Sequence, residues 1–83
     1  MHYVYILKCS DNTLYTGYTV DIDKRIISHN KGIGAKYTRG RLPVKLVYKE
    51  KYNSKSEALK REYSIKQMTR AKKLKMIKNE KTL

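Results

Sequence analysis

Eighty-three residues supply chain for one domain, taken here as residues 1–83, with a necessarily small core. Twenty Lys and Arg against seven Asp and Glu give a formal net charge of +13 at pH 7, and self-repulsion of that size points to an anionic partner. No apolar run reaches membrane-spanning length, the lone Cys9 excludes an internal disulfide, and two histidines, His2 and His29, argue against a zinc cage.

Residues 3–9, YVYILKC, are rich in β-branched and aromatic types and are bounded by Ser-Asp-Asn; residues 13–18, TLYTGY, follow at once. Two such runs across a short polar turn predict a β-hairpin. Alternation puts Tyr3, Tyr5 and Leu7 on one face and Val4 and Ile6 on the other. If the turn holds an odd number of residues, Tyr5 and Tyr15 share a face. Thr19 or Asp21 caps a helix from about Asp21 to Asn30, stopped by Gly32. Ile22, Ile26 and Ile27 give its buried stripe, with Arg25 and His29, four apart, projecting together from the edge of it.

Residues 31–43, KGIGAKYTRGRLP, hold three of the four glycines, the only proline and four basic residues. A loop this long in so small a domain is expected to be functional, a flexible connector being the plainer alternative. Residues 44–51 predict a third strand. Ser54 and Glu57 have capping-box spacing and open a helix through about Gln67. Thr69 caps a last helix whose Leu74 and Ile77 face inward. The expected fold is α+β, with a small three-stranded antiparallel sheet flanked by three helices in the order β-β-α-β-α-α.

Glu62 is the sharpest local signal. A 100° helical wheel sets it between Ala58 and Ile65 on one side and Leu59 on the other, in the middle of an apolar face. A carboxylate removed from water needs an ion-pair partner, such as Arg25, or a hard divalent cation. Glu57 has the plainer reading of a first-turn acid able to pair with Arg61.

Tyr3-Val4-Tyr5, Tyr15-Thr16-Gly17, Arg25, His29 and Glu62, in that order, resemble the GIY-YIG nuclease family, and most narrowly its small stand-alone bacterial members. The two motif tyrosines are ten residues apart, Arg25 lies ten beyond the second, and Glu62 follows His29 by 33. Tyr3-Val4 stands where the name-giving motif has Gly-Ile, and Thr16 where it has Ile; both changes bear on packing rather than chemistry. A late asparagine of some larger members has no secure counterpart here.

The resemblance implies a metal-dependent endonuclease that cuts phosphodiester bonds in nucleic acid, expected to be DNA, including branched, nicked or damaged forms. Its catalytic residues would be Tyr5, Tyr15, Arg25, His29 and Glu62, with Glu62 as metal ligand. One carboxylate suits a single Mg²⁺ or Mn²⁺ that keeps most of its waters. Arg25 can grip the scissile phosphate. Tyr5 is the expected general base, its ordinary pKa of ~10 lowered by a nearby cation and arginine. Tyr15 and His29 would orient water or phosphate, and His29 could exchange roles with Tyr5.

Lys31, Lys36, Tyr37, Arg39 and Arg41 in the loop, with Lys72 and Lys73 on the last helix, are the expected nucleic-acid contacts; Lys72, Lys73, Lys75 and Lys78 are expected to contact phosphate or stay solvated, without reading bases. Tyr3, Tyr18, Tyr48, Tyr52 and Tyr63 are expected to pack in the core. The alternative kept open is a basic nucleic-acid-binding module that keeps the fold but does not cut, or cuts only with a partner. A protein partner or a second copy is also left open, no membrane association is expected, and the expected location is the cytoplasm because residues 1–9 do not read as a signal peptide.

Overall fold

The computed structural model describes residues 1–79. The hairpin is β1 (His2–Lys8) and β2 (Leu14–Thr19). Its turn is held by Asp11, which accepts from the backbone N–H and hydroxyl of Thr13 at 3.1 and 2.6 Å. The chain continues through α1 (Ile22–Asn30), a single helical turn α2 (Lys36–Arg39), β3 (Lys45–Tyr52), α3 (Lys55–Lys66) and α4 (Arg70–Asn79). The strands form an antiparallel sheet in the order β2-β1-β3, so β1 is central and β2 and β3 are edges. The predicted β-β-α-β-α-α order is observed, with α2 added inside what reads in sequence as loop.

The side-chain alternation of β1 divides the molecule into two small cores. Val4 and Ile6 pack with Ala58 and Ile65 of α3, with Met76 and Ile77 of α4 against them. Tyr5, Leu7 and Cys9 pack on the other face with Val44, where Ile22 and Ile26 of α1 cover them. The central strand is buried on both sides because helices lie on both sides.

Helix boundaries follow the caps. Asp21 accepts from the Lys24 N–H at 3.1 Å and starts α1, which gives way to Gly32 at φ +80°, a conformation that glycine adopts without strain. Ser54 accepts from the Glu57 N–H at 3.1 Å and starts α3, and Thr69 accepts from the Lys72 N–H at 3.2 Å and starts α4. Asn30 bonds both backbone groups of Val44, at 2.8 and 3.2 Å, and so ties the end of α1 to the start of β3.

Several expectations fail in detail. Ile27 is exposed, and the residue of α1 that is fully buried is His29; the helix turns its polar edge inward because a hydrogen-bonded site receives it there. Leu74 is exposed, and Met76 fills the inward position beside Ile77. Tyr63 is exposed while Tyr18, Tyr48 and Tyr52 pack against the core. Arg61 does not pair with Glu57. It reaches across to β3 and grips Glu50 with two bonds of 2.9 and 3.1 Å, and the hydroxyls of Tyr48 and Tyr52 donate to the same carboxylate. Glu57 accepts from the Ser54 hydroxyl instead.

Candidate active site

In the β1–β2 register Tyr5 faces Gly17 and Leu7 faces Tyr15, so Tyr5 and Tyr15 stand on the same face. Gly17 has no side chain, and the Tyr5 phenol lies across it. A Cβ there would stand 2.5 Å from both Cζ and Oη of Tyr5 and 3.0 Å from Cε2 of Tyr15. Helix α1 covers this face and delivers two side chains to the phenol. Arg25 Nε donates to Tyr5 Oη at 3.3 Å, and His29 Nε2 lies 3.0 Å from the same oxygen. The Tyr15 ring stands edge-on to the His29 ring, with centroids 5.3 Å apart. Four of the five residues predicted from sequence thus converge on one phenolic oxygen and its surroundings.

The second ring nitrogen of His29, Nδ1, is 2.9 Å from the Thr38 hydroxyl, which donates to the Ala35 carbonyl at 3.0 Å. His29 and Thr38 are both fully buried. Burial, followed by the charge of Arg25, holds the His29 imidazole below its ordinary pKa, so it is neutral at neutral pH. Burial also dominates Tyr5. It pushes the phenol up, and the opposing hydrogen bond from Arg25 does not reverse this. Of the expected lowering of Tyr5, the share assigned to the arginine is corrected: desolvation outweighs Arg25.

Glu62 comes from the opposite layer. Helix α3 packs on the Val4 and Ile6 face, and Leu59 on it is exposed, so the apolar face is centred on Ala58 and Ile65 with Glu62 at its edge. The Glu62 side chain is 18 % exposed, and its ion pair is with Lys66 at 3.6 Å, not with Arg25. No hydrogen bond joins it to the other four residues, but its charge acts on Tyr5 and contributes to the raised pKa there. No three of His, Cys, Asp and Glu cluster among the described residues. A cage built from protein ligands alone is therefore not formed by them, whereas one partly exposed carboxylate fits a hard cation held largely by waters and phosphate oxygens.

The residues expected to bind nucleic acid divide into free and engaged groups. Lys31, Lys36, Arg39 and Lys72 are exposed. Arg41 pairs with Asp11 at 3.0 Å, donates to the Tyr37 carbonyl at 2.8 Å and lies 4.3 Å from the Tyr37 ring centroid. Tyr37 stacks on Tyr15 with centroids 5.8 Å apart, which makes it a prop for a site tyrosine. Beside it, Thr13, Leu14, Tyr37, Arg70 and Lys73 line a cavity of about 230 Å³. Lys73 is half-buried, and burial with repulsion from Lys66 depresses its pKa.

Sequence reasoning missed Thr38, Gly34 and Asn30. A threonine and a glycine inside a basic loop carry no periodicity, and their partners lie on α1.

The model of the GIY-YIG catalytic domain matches residues 1–75. The chain belongs to the GIY-YIG family. A UPF0213 protein of Staphylococcus saprophyticus is 66 % identical over 76 residues, which cover 92 % of this chain and 93 % of that protein. One of Staphylococcus aureus is 64 % identical over 77 residues, covering 93 % and 94 %. Among solved structures, the UPF0213 protein of Bacillus halodurans is similar at 52 % identity and a TM-score of 0.61, over 93 % of this chain and 82 % of that one. A protein of E. faecalis is similar at 43 % identity and a TM-score of 0.63, with the same coverage. The GIY-YIG departure at Thr16 is a packing matter, because this residue is buried opposite Ile6, on the face away from Tyr5. No helix among the described residues is long and apolar enough to cross a membrane.

Proposed function

We propose that this GIY-YIG chain, acting as one domain, is an endonuclease that uses a divalent cation to hydrolyse phosphodiester bonds in nucleic acid, with DNA as the substrate class. The observation that carries the reading is the Tyr5 hydroxyl, held between the imidazole of His29 and the guanidinium of Arg25. A phenol with a raised pKa is a poor base on its own. Coupled to a neutral imidazole it can take a proton from water while giving up its own, so no free phenolate has to form. The attacking water oxygen then bonds to phosphorus and the bond to the leaving sugar oxygen breaks, that oxygen leaving with the electron pair and taking a proton from solvent. Arg25 is placed to donate to phosphate oxygens as negative charge grows on them. Tyr15 stands over the His29 ring and orients water or phosphate.

Glu62 would hold a single Mg²⁺ or Mn²⁺. Bound there, the cation would supply charge neutralisation at the phosphate and a lowered pKa for coordinated water. Lys73 and Arg70, beside the Tyr37 and Tyr15 stack, would carry the flanking backbone, with the exposed Lys31, Lys36, Arg39 and Lys72 adding salt-sensitive affinity. So small a surface suits recognition of backbone shape rather than long sequences.

The test is a panel of end-labelled duplex, nicked, branched and single-stranded DNA, with RNA alongside, incubated with Mg²⁺, Mn²⁺ or EDTA. Cation-dependent cutting with a preferred DNA form is the expected result. Salt-sensitive binding with no cutting on any substrate would replace this reading with the non-cutting module.

A further inference from the structure

The loop expected to grip phosphate has a second task, visible from its buried side. Thr38 lies on α2 with its hydroxyl 2.9 Å from His29 Nδ1 and 3.0 Å from the Ala35 carbonyl oxygen. A carbonyl can only accept, so the Thr38 proton points at Ala35, and the proton in the contact with His29 belongs to Nδ1. Reversing that contact would turn the Thr38 proton away from Ala35 and set the lone pairs of Thr38 Oγ1 against the Ala35 oxygen, which would keep only the Thr38 N–H at 3.2 Å. A neutral imidazole protonated at Nδ1 offers a lone pair at Nε2, the atom 3.0 Å from Tyr5 Oη. Arg25 already donates to that oxygen, so the phenol accepts from Arg25 and donates to His29.

Gly34 completes the arrangement. A Cβ there would stand 2.6 Å from Cγ and Nδ1 of His29 and 2.7 Å from its Cα. The backbone of the loop is pressed against the imidazole, with no room for a side chain between them.

We infer that Thr38 and Gly34 are positioning residues, which hold His29 as its Nδ1–H tautomer so that Nε2 receives the proton of Tyr5. In the proposed hydrolysis the water proton passes to Tyr5 Oη as the Tyr5 O–H bond breaks. That second proton forms the Nε2–H bond, leaving His29 an imidazolium. Its Nδ1–H still donates to Thr38, which keeps its own proton on the Ala35 carbonyl. No oxidant or further reactant is needed. The catalytic consequence rests on the nuclease reading; the tautomer does not.

The experiment is ¹⁵N-detected spectroscopy of the histidine ring in uniformly labelled full-length chain near neutral pH, set beside cleavage kinetics. Thr38→Val keeps the shape and removes the hydroxyl; Thr38→Ser restores it. Wild type should carry its proton on Nδ1. Thr38→Val should move His29 toward the Nε2–H form and lower kcat at least about tenfold with KM little changed, since proton transfer by a positioned side chain contributes ~10²–10⁴-fold. Thr38→Ser should recover both. A wild-type ring protonated on Nε2 overturns the inference whether or not any variant folds, as does a folded Thr38→Val protein with unchanged tautomer and kcat. A wild-type chain that cuts nothing defeats the nuclease reading, while the ring spectrum still decides this one.

Discussion

Gly17→Ala is the smallest change that tests how the site is built. The added Cβ would lie 2.5 Å from Cζ and Oη of Tyr5. Comfortable contact begins near ~3.5 Å, so phenol and strand must separate by about 1 Å. Tyr5 is only 1 % exposed, which leaves little empty space to retreat into. The Tyr5 to His29 contact of 3.0 Å cannot lengthen by that amount and remain a hydrogen bond. Overpacking of this kind costs about 1–3 kcal/mol, offset by up to ~1 kcal/mol because alanine gives up less backbone freedom than glycine. A displacement of about 1 Å at a reacting group can cost ~10²-fold in rate. Urea unfolding measures the first quantity and cleavage at saturating substrate the second. In a Tyr5→Phe background, where Oη is gone, the stability cost should shrink. Gly17→Ala with stability within ~0.5 kcal/mol of wild type and cleavage within twofold would refute the close approach of phenol and strand.

Three further outcomes follow from the same structure. The Thr16 hydroxyl is buried with no hydrogen-bond partner among the described residues, so Thr16→Val should raise stability by roughly 1 kcal/mol in urea unfolding, and a loss would show that the hydroxyl is satisfied. Burial pushes the Glu50 carboxyl up, but hydrogen bonds from Arg61, Tyr48 and Tyr52 outweigh it and leave the pKa lowered, while burial and Glu50 push both tyrosines up to about 12. A carboxyl depressed in the folded state stabilises above its unfolded pKa of ~4.3, and that stability is lost as pH falls through the folded value. Glu50→Gln should therefore cost about 1–3 kcal/mol at pH 7, with a gap to wild type that narrows in acid; a gap independent of pH would contradict the assignment. Because His29 must be neutral to accept a proton and its pKa is lowered by burial and Arg25, the acid limb of kcat/KM should fall below pH ~6.5. A limb centred above neutrality would remove His29 from the relay.

How much of this was legible in the sequence depends on periodicity. The hairpin, its facing and the shared side of Tyr5 and Tyr15 follow from alternation and an odd-length turn. The helix starts follow from Asp21, Ser54 and Thr69. Arg25 and His29 are four apart on one helix, so their convergence is local geometry. The inward turn of His29 was not legible, because its reason, the hydroxyl of Thr38, sits nine residues later in a segment without periodicity. The capping box sets Glu62 on α3, but a wheel that counts Leu59 as buried puts the carboxylate at the centre of the face, and Leu59 is exposed. Helix spacing pairs Arg61 with Glu57, one turn back, whereas the sheet brings Glu50 to it from 11 residues away. Charge alone likewise could not separate Arg41, held by Asp11 and Tyr37, from lysines that stay exposed.

In the proposed reaction Glu62 serves the chemistry and not the fold or the grip on nucleic acid. The most direct test compares wild type and Glu62→Gln in titrations of Mg²⁺ against the initial cleavage rate of the preferred DNA, with affinity measured at two salt concentrations. Glu62→Gln is expected to bind with the same salt slope, remain folded and lose cation-dependent cutting by a factor of at least ~10². Cutting that survives with the same Mg²⁺ dependence would place the metal, and with it the centre of the site, somewhere other than Glu62.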